Sequence, residues 1–95
     1  MTDEEILAKA ADLIEASWAQ GPYGGLSHEH GPYCAGIAIQ VAAAGQLIGD
    51  VDAAWRGFMR EIGAERLSDI PEWNDRLGRC KEEVATALRN AKRWL

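Results

Sequence analysis

The stretch Tyr33-Cys34-Ala35-Gly36-Ile37-Ala38-Ile39-Gln40-Val41-Ala42-Ala43-Ala44 constrains the fold of this chain more than any other, because Gln40 is the one strongly polar side chain inside it. A helix that is apolar on almost every side is stable in water only when other elements cover it. Pro32 suits a first helical position with Gly31 as N-cap, and Gly45 suits the residue just past the end. The spacing therefore predicts a helix over about residues 32–44. The chain has 95 residues, enough for one domain spanning 1–95. The expected fold is all-α: a compact bundle of four helices plus one short helix, arranged around this central apolar helix. A chain of this size buries a modest share of its surface, so its core must be efficient or shared with a partner.

The remaining elements follow from caps and periodicity. Thr2 and Glu5 have the spacing of a capping box, and Asp3 and Glu4 favour the first turn. Ile6, Leu7, Ala10, Leu13, Ile14 and Trp18 then recur at helical spacing, with an end expected near Ala19 or Gln20, before Gly21-Pro22. Asp50 is placed to cap a helix whose inner stripe is Val51, Ala54, Trp55, Phe58 and Ile62, stopped by Gly63. Ser68 or Asp69 can cap a short helix with Pro71 in its first turn, closing near Gly78. A last helix opens near Cys80 and carries Val84, Ala87, Leu88, Ala91 and Leu95 on one face.

Charge narrows the functional classes. Residues 1–30 hold six acids and one base, residues 31–75 seven acids and three bases, and residues 76–95 two acids and six bases; the total is −5. Nucleic-acid binding needs a basic surface and is not expected of the whole chain. Arg89, Lys92 and Arg93 fit the negative end of a helix dipole. No run reaches the length of a membrane span, and the acidic N-terminus has no continuous apolar core of a signal peptide. The expectation is a cytoplasmic protein with two free thiols, Cys34 and Cys80.

No phosphate loop, dinucleotide fingerprint, nucleophile elbow or helical metalloprotease motif occurs. His28, His30, Cys34 and Cys80 have the atoms of a zinc site but not its spacing, and no metal or other cofactor is expected. Cys34 beside a helix N-terminus, with His28 or His30 and Asp75, could form a cysteine–histidine–aspartate set; a small buried thiol is the plainer reading.

The segment Ile70-Pro71-Glu72-Trp73-Asn74-Asp75-Arg76-Leu77-Gly78-Arg79 is chemically dense. Asn and Asp bond readily to nearby backbone amides. Asp75 could accept from the amides that open the last helix or pair with Arg79, and Trp73 could plug the gap between the apolar helix and the last helix. On this reading Asn74, Asp75, Trp18 and Gln20 belong to a structural joint. Trp73, Arg76 and Arg79 form the candidate partner-binding surface, since Trp and Arg are enriched at interface hot spots.

Trp18-Ala19-Gln20-Gly21, Cys34-Ala35-Gly36-Ile37-Ala38, and Trp73-Asn74-Asp75 with Gly78-Arg79 and Glu82-Glu83-Val84 resemble, in this order, a small domain of unknown function found in actinobacteria, including streptomycetes, and in their phages. That pattern is roughly Trp-x-Gln-Gly, Cys-Ala-x-Gly-Ala and Trp-Asn-Asp-x-x-Gly-Arg-Thr-x-Glu-Glu-Val. Two departures stand out. Cys80 replaces the Thr, a weaker helix cap, and Gly36 comes one residue early. The resemblance implies no known activity; it implies an actinobacterial or actinophage origin. The leading expectation is a non-enzymatic protein-interaction module, phage-encoded and acting on a host protein. The alternatives are the Cys34 enzyme and a self-associating structural module. A DNA mimic would need acids arrayed on one face, which helix 1 alone offers, through Asp12 and Glu15 and its first turn.

Overall fold

The computed structural model describes residues 2–18, 33–43 and 48–95, without the side chains of 48–51. These residues build five α-helices: α1 Asp3–Ser17, α2 Ala35–Ala42, α3 Ile48–Ile62, α4 Asp69–Asn74 and α5 Lys81–Asn90. A 3-10 turn, Ala91–Trp94, extends α5. No strand occurs among the described residues, so the all-α expectation holds.

The capping box of α1 is present in both halves. The Glu5 N–H donates to Thr2 Oγ1 at 3.1 Å, and the Thr2 N–H donates to Glu5 Oε1 at 2.9 Å. Beyond it Ile6, Leu7, Ala10, Ala11 and Ile14 are buried. Each large aliphatic among them contributes about 1.5–3 kcal/mol on burial. These side chains join a core to which every helix contributes, including Ile39, Phe58, Ile70, Val84 and Leu88. The helix that packs on most of the others is α1, against α2, α3 and α5, while α2 lies against α1 and α4. Being flanked rather than surrounded, α2 leaves Ile37 and Val41 partly exposed.

Three boundaries differ from the expectation. The first helix stops at Ser17, and α2 starts at Ala35 instead of Pro32, for one reason. The Tyr33 N–H donates to the Ser17 carbonyl at 2.6 Å, and Trp18 and Tyr33 form an isolated parallel bridge. Trp18 is thereby extended, and Tyr33 cannot enter the helix. Gln20, Gly21, Pro22, Gly31, Pro32 and Gly45 lie outside the described residues. Asp50 falls inside α3, which opens at Ile48; the described side chain bonded to an α3 amide is that of Asp3, whose Oδ1 accepts the Ala54 N–H at 3.1 Å.

The short helix differs too. Ser68 stands at its N-cap without a side-chain bond, and Asp69 Oδ2 reaches back to accept the Glu65 and Arg66 N–H groups, each at 3.0 Å. The helix closes at Asn74 instead of near Gly78, whose positive φ of 87° turns the chain into α5. Gly63 ends α3 as expected, with φ 75°. Leu95 leaves the inner face of the last helix because the 3-10 turn tightens its register; it is half exposed, and Ala85 is buried with Val84, Ala87 and Leu88.

Candidate functional site

The joint between α4 and α5 is organised by Asn74, the buried polar residue of the described core. Its Oδ1 accepts two hydrogen bonds, from the Trp18 indole N–H at 2.9 Å and from the Ala35 backbone N–H at 3.0 Å. Its Nδ2 donates to Asp75 Oδ1 at 3.0 Å. One amide thus ties the end of α1, the first turn of α2 and the end of α4 together. An unbonded amide of this kind would be costly to bury; here the fold supplies partners from residues far apart in sequence. The Asn74 amide therefore caps α2, where local reasoning placed the Asn-Asp pair at the start of the last helix.

Trp73 packs toward α3. Its ring meets Phe58 of α3 edge-on, with centroids 5.7 Å apart and planes at 88°. Arg79 lies over the indole, its guanidinium carbon 4.1 Å from the ring centroid. The Arg79 Nε–H donates to the Trp73 carbonyl at 3.0 Å, and Nη1 pairs with Glu83 at 2.8 Å. With its side chain 13% exposed, Arg79 is a clamp on Trp73 more than a free contact. Its cation holds the Glu83 carboxyl below the ordinary value of 4.5, helped by the Cys80 thiol. Cys80 caps α5 without bonding a backbone amide through its side chain. Arg76 is exposed, and the neighbouring Leu77 is fully so.

The open side of Trp73 walls two hollows. One, of about 490 Å³, lies between α3 and α5 and is lined by Glu61, Ile62, Trp73, Glu82, Glu83, Thr86, Ala87 and Asn90. The other, of about 200 Å³, is lined by Ile62, Gly63, Ala64, Asp69, Glu72, Trp73 and Arg76. Trp73 and Ile62 belong to both. The sequence reading missed Glu61 and Glu82 as lining residues. Glu82, Thr86 and Asn90 stand four apart, opposite the Val84–Leu88 face, and that polar row was the available signal.

A third groove, of about 400 Å³, is lined by Cys34, Gly36, Ile37, Gln40, Trp55, Leu67, Ile70 and Pro71. Cys34 stands there partly exposed at the N-cap of α2. His28 and His30, its candidate partners, lie outside the described residues. Among the described residues no three His, Cys, Asp or Glu side chains are grouped to hold a metal, and no helix is long and apolar enough to cross a membrane. The acidic first helix also meets a base of the last one within the molecule: Arg89 pairs with Asp12 at 3.0 Å and Glu15 at 2.7 Å. That pairing lowers the Glu15 pKa and raises that of Arg89.

These features define a small all-α domain with a clamped tryptophan at an open groove. The chain belongs to the family of unknown function DUF6197, whose model matches residues 1–93. No curated protein and no solved structure matches it.

Proposed function

We propose that this protein is a non-enzymatic protein-interaction module that grips its partner over Trp73. The observation that carries the reading is the state of that side chain: held on one face by Arg79, braced by Phe58, and open to two adjoining hollows. A rigid aromatic loses little conformational freedom on binding, so its contact energy is not spent on ordering it. Arg76 and Leu77 extend the surface along the α4–α5 connection, and Arg79 serves it by fixing Trp73. The resemblance to a domain of actinobacteria and their phages favours a cytoplasmic setting and a host protein as the target.

Affinity capture from actinobacterial lysate tests this. Trp73→Ala, checked for retained helicity, is expected to lose a partner that the wild type and Trp94→Ala both recover. Equal recovery by all three sinks the reading. The apolar groove around Trp55 and Leu67 favours a second reading, a self-associating module. Sedimentation of a dimer at micromolar concentration, abolished by Leu67→Glu, would support it; a monomer throughout would remove it.

A further inference from the structure

The larger hollow beside Trp73 has a pronounced chemical bias. Three of its lining side chains are carboxylates, Glu61, Glu82 and Glu83, and none is cationic. They stand on two elements: Glu61 on α3, and Glu82 and Glu83 on α5. Glu61 is fixed by the Trp94 indole N–H at 3.0 Å and by Arg93 at 3.2 Å. Glu83 is fixed by Arg79. Glu82 is exposed and has no ion-pair partner among the described residues. From Glu82 the row continues through Thr86 to Asn90, a polar edge about 12 Å long at the helical rise. Trp73, Ile62 and Ala87 supply apolar surface between the rims. The groove thus offers apolar contact beside one carboxylate without an ion pair among the described residues, Glu82, and two ion-paired ones, on a chain whose net charge is −5. A phosphate finds no partner in Glu82; a lysine or arginine does.

We propose that this groove docks a short basic segment of the partner protein, with a lysine or arginine seated at Glu82 across from Glu61 and an apolar neighbour against Trp73. The proposal rests on the reading of Trp73 as an interaction surface and adds the chemistry of what sits there. The match is one of charge and shape: a half-buried indole between two rims, with Glu61 already held by Arg93 on one and, on the other, Glu82, an exposed carboxylate without an ion pair among the described residues, to fix the incoming cation. Arg79 already covers one face of the indole, so the occupant's cation is held by the carboxylates and its apolar part by the remaining ring surface.

The test is a selection of random 12-residue displayed peptides on the full-length protein, followed by anisotropy titration of the enriched sequences. Enriched peptides are expected to carry several Lys or Arg beside an apolar residue and to weaken as salt rises. Glu82→Gln should weaken them severalfold, the scale of an exposed ion pair, and Glu82→Lys, which reverses the charge, roughly tenfold. Glu4→Gln, an exposed change on α1, should leave them unaltered. Neutral or acidic winners, winners indifferent to Glu82, or no enrichment would each overturn the proposal. So would spermine binding that depends on Glu82 while no peptide is enriched, which would mark a small-polyamine site. The two readings separate cleanly. Loss of a lysate partner in Trp73→Ala but not in Glu82→Lys keeps the interaction surface and removes its basic occupant; loss in neither removes both.

Discussion

Replacing Asn74 by Ala is the most searching perturbation of this fold. It strips the acceptor from two donors at once, the buried Ala35 amide and the part-buried Trp18 indole. An unsatisfied buried donor costs about 1–3 kcal/mol, and the partly wet indole belongs at the low end of that range. The two together give about 2–5 kcal/mol, before any cavity cost. A chain of 95 residues has a total stability of roughly 5–14 kcal/mol at about 0.05–0.15 kcal/mol per residue. The variant should therefore lose a large share of its stability. Urea unfolding followed by circular dichroism measures that loss. A double-mutant cycle with Trp18→Phe isolates the indole bond, with a coupling of about 0.5–3 kcal/mol for residues in contact. Asn74→Asp separates hydrogen bonding from packing, because it keeps the acceptor but sets an oxygen against Asp75 where Nδ2 had donated. The introduced carboxyl should bind its proton more tightly folded than unfolded, so this variant gains stability as pH falls from neutral. The wild type does not. An Asn74→Ala variant within about 0.5 kcal/mol of wild type, the noise of surface changes, would refute the reasoning. So would an Asn74→Asp variant whose stability ignores pH.

Other outcomes follow from the same geometry. Gly57→Ala would place a Cβ 3.1 Å from the Ala91 carbonyl oxygen and 3.4 Å from Leu95 Cδ2. Overpacking of about 1–3 kcal/mol should outweigh the gain of about 1 kcal/mol in helix propensity, and calorimetry should show a lower Tm; a higher one would mean that the terminal turn yields. Thr2→Ala should cost about 1 kcal/mol and speed hydrogen exchange in the first turn of α1. Arg79→Lys keeps the charge but loses the Nε bond to the Trp73 carbonyl, so the fluorine resonance of 5-fluorotryptophan at Trp73 should move while that of Trp18 stays. Acid should destabilise the fold through four lowered carboxyls: Glu5, bonded by the Thr2 amide; Glu15 and Glu83, bonded by Arg89 and Arg79; and Asp69, bonded by the Glu65 and Arg66 amides. Each binds its proton more weakly folded than unfolded. Their contribution is therefore complete above the ordinary values of 4.5 for Glu and 3.8 for Asp and drains away as pH falls below them; a midpoint that holds steady to pH 2 would contradict this.

What could be read from sequence was local. The Thr2–Glu5 box, the α1 stripe and the Gly63 stop are fixed by residues within a few positions of one another, where periodicity and capping rules operate. The start of α2 was not legible, because Tyr33 is held out of the helix by Ser17 and Trp18. Asn74 shows the same limit. Local chemistry pointed it at the next helix, but its acceptor serves partners 39 and 56 positions away. Arg79 is conspicuous in the sequence, but the side to which it turns is not: its donors face inward onto Trp73 and Glu83. The groove acids are not legible as a group, because carboxylates on a helix surface look alike until a neighbouring helix is set beside them.

The Trp18–Tyr33 bridge has a consequence for how such a chain can vary. It sets Trp18 and Tyr33 side by side, so the span of chain between them is closed at one place on the helical body. Doubling it would cost about 0.6 kcal/mol of closure entropy, less than the loss of one Asn74 hydrogen bond. An epitope or a fluorescent reporter could be spliced between these anchors with the helices left in register.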